Sequence, residues 1–253
     1  MIKTLKNLLK QDKERYTVPR KVQDVIPVRR IWKDGIFQVG GRFSKTYQFT
    51  DINYLVASRE DKEQMFLAYS ELLNSLDSGA TTKITINNCR LNRANFEQSI
   101  LMPMRGDACD VYRREYNQML LDKATGANGI VQEKYITVSV CKKDIEEART
   151  YFVRIGADLI AHFAALGSKC TELDAAEKLR VLHDFYRQGE EAAFHFDPQD
   201  MMRKGHDFKD YICPDSLEKS SDCLKLGEKY CRVLFLKDYA SYIKDSMVTE
   251  LTD

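Results

Sequence analysis

Apolar residues recur along the chain at two periods, and the changes from one period to the other mark out its elements. Ile2, Leu5, Leu8 and Leu9 lie at helical spacing with lysines on the other side, which predicts a short cationic amphipathic helix over about residues 2–14. Pro19 and Pro27 keep the next segment extended. Apolar runs at 28–32 and 36–39 then flank Lys-Asp-Gly, and Asp-Gly in that setting signals a hairpin, because glycine accepts the positive φ of a primed turn. Gly40-Gly41 separates the second run from "RFSKTYQF", in which Phe43, Tyr47 and Phe49 share a period-two phase. A three-stranded meander is expected.

Ser58, with Asp61 three residues on, opens a helix that lines up Met65, Tyr69, Leu72 and Leu76 and stops before Gly79. "TTKITINNC" alternates, with Ile84 and Ile86 inward. A helical stretch over about 95–125, broken near Pro103 and Gly106, has Tyr112, Tyr116, Met119 and Leu120 as the buried set of its second half. "EKYITVSVC" is a strand with Ile136, Val138 and Val140 on one face. Asp144 with Glu147 forms a capping box, and Ile145, Ala148, Phe152, Ile155, Leu159, Phe163 and Leu166 then follow the helical rule until Gly167. After an extended piece at 170–173, Asp174 and Glu177 repeat the box ahead of a helix with Leu179, Leu182 and Tyr186. Residues 190–228 are polar and read as short turns and loops, a candidate sublobe. "KYCRVLFL" reads as an interior strand covered on both faces, and Ile243, Met247 and Leu251 form a last amphipathic segment. The sum is an α+β fold: a mostly antiparallel sheet with long amphipathic helices packed on it.

Composition narrows the class of protein. At 253 residues, 43% hydrophobic and 30% charged, the chain resembles an ordinary globular protein with a sizeable core. The longest apolar stretch, 155–166, is interrupted by Asp158 and His162 and is too short for a bilayer. The N-terminus lacks a secretory signal, and seven cysteines without any C-x-x-C fit reduced thiols, so a cytoplasmic location is expected. His195 and His206 have no nearby cysteines, and no metal site is expected. The charge is uneven. Residues 1–33 hold ten Lys/Arg against three Asp/Glu, a local +7; the whole chain is +1, so the remaining 220 residues carry −6. That divides the chain into a basic N-terminal helix and arm, 1–33, and an α+β domain, 34–253. The arm can meet an anionic partner or be no more than a solvated charged face.

Catalytic signatures are missing. None of the twelve glycines precedes a lysine, so there is no P-loop, and G-x-G-x-x-G, G-x-S-x-G and H-E-x-x-H do not occur. The Gly40-Gly41 pair sits before another strand, not before a helix N-terminus, so it turns the chain and does not cradle a phosphate. Glu146/Glu147 and Glu190/Glu191 are adjacent residues that point apart on a helix, and the first pair suits a helix N-terminus. Cysteine–histidine chemistry has no local signature, and "RFSKTYQF" only weakly resembles a base-stacking strand.

The words "KDGIFQVGGRFSKTYQFTDINY", "SREDKEQMFLAYSELLNSLDSGATTKITINN", "EYNQMLLDKATGANGIVQEKYITVSV" and "EEARTYFVRIGADLIAHFAALGSKCTELDAAEKLRVLHDFYR", with "FKDYICPDSL" and "YCRVLFLKDYASYIKDSMVTELTD", resemble a known family. It is the amino-terminal region of the conjugation ATPases of type IV secretion systems, in the version carried by integrative and conjugative elements of Gram-positive bacteria. The resemblance spans essentially the whole chain, and none of these words is a catalytic motif. It implies a RecA-like motor, with its ATP and Mg²⁺, beyond residue 253, and no catalytic residue or cofactor within these residues. It further implies a docking module at the inner face of the cell membrane that meets inner-membrane channel subunits and other copies of itself. Lys3, Lys6, Lys10, Lys13, Arg15, Arg20, Lys21, Arg29 and Arg30 are the candidate partner-binding residues. The alternative is a nucleic-acid-binding module that uses the same basic segment.

Overall fold

A computed structural model of the chain describes residues 19–54, 56–90, 101–126, 130–235, 237–238 and 241–242. The expected helix over 2–14, the opening of the helical stretch from 95 and the segment with Ile243, Met247 and Leu251 lie outside these residues.

The fold is α+β. Its main sheet is built from β1 (Val28–Ile31), β2 (Phe37–Val39), β3 (Arg42–Phe49), β4 (Thr81–Arg90), β5 (Ile130–Cys141) and β6 (Cys170–Glu172). The order is β1-β2-β3-β5-β4, and every pairing is antiparallel. β3 has two partners end to end along one edge: Arg42 to Ser44 pair with β2, and Tyr47 to Phe49 pair with β6. A second antiparallel sheet joins β7 (Leu217–Lys219), β8 (Leu224–Leu226) and β9 (Lys229–Cys231).

Five α-helices occur among the described residues: α1 (Arg59–Asn74), α2 (Asp110–Gly126), α3 (Ile145–Ala165), α4 (Ala175–Tyr186) and α5 (Pro198–Lys204). α3 places Phe152, Ile155, Leu159 and Phe163 against Phe43, Tyr47, Ile136 and Val138 of the sheet, with Leu72 of α1 in the same cluster. Burying side chains of this size removes apolar area worth roughly 1.5–3 kcal/mol each, so this face holds the main core. Gly167 at φ +79° ends α3, with Ser168 N–H bonded to Phe163 O and Gly167 N–H to Ala164 O. Asp144 caps the start of α3 by accepting from Glu147 N–H at 2.9 Å, but Glu147 reaches back to Lys143 N–H and leaves the expected box open. At α4 the box is complete, both bonds being 2.8 Å.

The opposite face of the sheet carries a second cluster, with Ile26, Val28 and Phe37 against Leu179 of α4 and Phe208, Ile212 and Cys213. The first half of the polar region 190–228 is therefore packed on the sheet. Ile26 and Val28 are core residues too, so the chain joins the fold ahead of the expected boundary at 33/34. Between Pro19 and Pro27 it is not fully extended: a 3₁₀ turn, Val22–Val25, is closed by Asp24, whose carboxylate accepts from Lys21 N–H.

Four expected burial patterns fail. Ile84 and Ile86 of β4, expected inward, are 45% and 41% exposed. In α2, Tyr112 is 71% exposed, and Tyr116 and Met119 are also exposed. The inward group is Asn117, whose amide bonds both Met102 N–H and Met102 O at 2.9 Å, so the helix packs its polar side against residues 101–106. "KYCRVLFL" is not an interior strand. β9 covers only its first three residues, at the edge of the small sheet, and Val233, Leu234 and Phe235 are exposed. Tyr69 of α1 is exposed, while Met65 and Leu76, the latter past the helix end, pack against the core as expected.

Candidate interaction site

β1 is an edge strand, and its register with β2 slips by one residue: Val28 faces Val39, yet Arg30 faces Gln38. Arg29 is the extra residue. A bulge breaks strict alternation, so the adjacent Arg29 and Arg30 are both exposed. Arg20 and Lys21 are exposed just before the 3₁₀ turn. Lys209 fixes that turn by donating to Gln23 O at 3.1 Å and Ile26 O at 2.9 Å, and Gln23 bonds Asp210 at 2.6 Å. The side chains of Arg20, Arg29 and Arg30 have no hydrogen-bond or acidic partner among the described residues. Of the nine candidate partner-binding residues, Arg29 and Arg30 thus lie on the β1 edge, and Arg20 and Lys21 precede the turn that leads into it. Lys3, Lys6, Lys10, Lys13 and Arg15 lie outside the described residues.

The hairpin beside them is anchored at its turn. Trp32 N–H bonds Ile36 O and Gly35 N–H bonds Trp32 O, both at 3.0 Å, which makes a three-residue loop in place of a two-residue primed turn. Gly35, at φ +75°, lies against the β6–α4 junction, where an added Cβ would stand 1.9 Å from Leu173 O. Arg149 of α3 bonds Asp34 at 2.9 Å, and Ala175 N–H of α4 bonds Lys33 O. The Gly40-Gly41 pair, in contrast, is an open two-residue link from β2 to β3 with nothing within 4 Å of either added Cβ. These glycines turn the chain, as the sequence predicts.

β3 does not offer a base-stacking surface. Phe43, Lys45 and Tyr47 are all buried, Lys45 being 6% exposed and paired with Glu172 of β6 at 2.5 Å. Gly156 of α3 makes room for that pair, since a Cβ there would come within 2.5 Å of Glu172 and 3.1 Å of the Tyr47 hydroxyl. On the other face Lys178 of α4 donates to Ser44 O and Oγ, both at 3.2 Å, and its ammonium lies 4.3 Å from the Phe37 ring centre. Burial of that ammonium, with Lys45 as a further like charge, pulls its pKa down to about 7. Neither lysine was legible as special. The one signal was the phase of Lys45 with Phe43 and Tyr47.

A cavity of about 330 Å³ opens where β4 meets the end of α4 and the small sheet. Asn87, Cys89, Asp184, Glu191, Lys229 and Arg232 are among its lining residues. Cys89 is held by Asn87 at 2.9 Å and by the Glu133 carboxylate, to which its thiol donates at 3.6 Å. Burial first, and then Glu133, push this thiol up to about 12, so it stays protonated near neutral pH and is a poor nucleophile. Burial also raises the Cys170 and Cys213 thiols. Among the described residues, no group of three or more His, Cys, Asp or Glu side chains could hold a metal ion, and no helix is long and apolar enough to cross a membrane. No protein-family model and no curated protein matches this sequence.

Proposed function

We propose that this chain is a non-catalytic docking module of a conjugative-transfer motor of the type IV secretion kind. Its basic edge attaches the motor to inner-membrane subunits of the secretion channel, on the cytoplasmic face. The observation that carries this reading is the bulged β1 edge, where Arg29 and Arg30 are both exposed and lack an acidic partner among the described residues. Charges without an internal partner gain most from an anionic surface outside the molecule, and they cost little to leave solvated until it arrives. The resemblance of the sequence to conjugation ATPases supplies the identity of the machine. The motor's ATP and Mg²⁺ belong, on this reading, to residues beyond these 253.

Charge reversal tests it. Arg29→Glu/Arg30→Glu is expected to reduce binding to membranes that carry the channel by at least about tenfold, roughly 1.4 kcal/mol. Equal binding by the variant and the wild-type chain contradicts the proposal. Tight duplex-DNA binding that falls steeply with salt and disappears in the same variant transfers the edge to the nucleic-acid reading.

A further inference from the structure

The cavity of about 330 Å³ beside β4 has its charges sorted by element. Asp184 comes from the last turn of α4 and Glu191 from the short 3₁₀ turn after it, whereas Lys229 belongs to β9 and Arg232 follows that strand. Opposite charges around one cavity gain by pairing, yet neither acid pairs with either base. Asp184, with a side chain 16% exposed, faces His183 Nδ1 at 3.3 Å and has no other partner among the described residues. Glu191 is turned back on Gly189 N–H at 2.7 Å. The Lys229 side chain passes close to Gly189, but its ammonium has no hydrogen-bond or acidic partner among the described residues. Arg232 donates through Nε to Asp222 O at 3.2 Å, which leaves its two terminal nitrogens without a partner among the described residues.

The field inside the cavity agrees with this sorting. After burial, the groups that raise the Cys89 thiol are Glu133, Asp184 and Glu191, so three carboxylates converge on the β4 side. The bases stand on the side of the small sheet. Between the two, Leu226 and the exposed rings of Phe185 and Tyr230 supply apolar lining. The volume falls within the range of small-ligand sites, roughly 300–1,000 Å³.

We propose that this cavity binds a free α-amino acid with an apolar side chain. Its ammonium lies at Asp184 and Glu191, its carboxylate at Lys229 and the terminal nitrogens of Arg232, and its side chain against Leu226 and the rings of Phe185 and Tyr230. A simple anion satisfies the bases and leaves two acids facing it, and an amine without a carboxylate does the reverse. A zwitterion satisfies both sets at once. The cavity lies beside β4, at the sheet edge opposite β1, and the proposal does not rest on the docking reading.

Isothermal titration calorimetry on the full 253-residue chain tests it. L-leucine or L-phenylalanine is expected to fill one site with a Kd below about 1 mM, roughly −4.1 kcal/mol. N-acetyl-leucine, which lacks the ammonium, and leucinamide, which lacks the carboxylate, are each expected to bind at least about tenfold more weakly than leucine. Asp184→Asn/Glu191→Gln is expected to lose the preference for leucine over N-acetyl-leucine and keep that over leucinamide, and Lys229→Gln/Arg232→Gln to do the opposite. Should a double variant fail to melt cooperatively, Lys229→Gln, on an exposed side chain, supplies the carboxylate arm by itself. Absence of binding by both amino acids at about 10 mM overturns the proposal. So does equal binding of leucine and its capped analogues by the wild-type chain, or leucine binding that the folded variants leave unchanged.

Discussion

Gly35 and Gly40 both take positive φ in neighbouring turns, yet they answer different demands. Gly40 needs only the backbone conformation, whereas Gly35 also lets a carbonyl approach to where a side chain would stand. Gly40→Ala is therefore expected to cost about 1 kcal/mol and Gly35→Ala about 3 kcal/mol or more, measured by urea denaturation. Equal costs would show that the β6–α4 junction does not press on the hairpin. The Asp-Gly and Gly-Gly signals made both turns legible in the sequence. The weight on Gly35 was not, because Leu173 is distant in the chain and only the fold brings it there. Lys178 offers a test with a definite sign. Its ammonium titrates near 10.5 when unfolded and about 7 when folded, so between those values the unfolded chain binds more protons. The penalty is complete below about pH 7 and fades as the pH rises. Lys178→Met is expected to stabilise the protein by on the order of 2 kcal/mol at pH 6, with the gain shrinking toward pH 9.5. Ser44 Oγ keeps Phe37 O as a partner at 3.3 Å in that variant. A gain that does not change with pH would contradict the role given to the charge.

Among the elements, α3 and α4 were the most legible, because caps at one end and unbroken apolar spacing agree with each other. β3 and β5 were legible for the same reason at period two, whereas the alternation of β4 found the strand but not the burial of Ile84 and Ile86. α2 and residues 230–235 show the limit of such patterns. Periodicity tells that a face is apolar, and it does not tell what covers it. In α2 the amide of Asn117 found the backbone of Met102, and the aromatic side turned outward. The β1 edge was legible only as charge; the bulge that exposes both arginines depends on pairing with β2. Since neither arginine has an acidic partner among the described residues, Arg29→Glu/Arg30→Glu is expected to change stability by no more than about 0.5 kcal/mol. A thermal melt checks this, and a large loss would mean that the edge is structural.

At the scale of the whole molecule, one antiparallel sheet separates two cores and presents two unlike edges. The charged edge beside the basic residues is the one proposed to meet the channel. The described thiols whose pKa values move all move upward, which leaves each of them a poorer nucleophile near neutral pH. The most direct test uses membrane vesicles from a Gram-positive host that carries a conjugative element, beside vesicles from the same host without it. The wild-type chain is expected to co-sediment only with the first, and Arg29→Glu/Arg30→Glu with neither. Equal binding to both preparations, or binding that survives the charge reversal, would contradict docking through the basic edge.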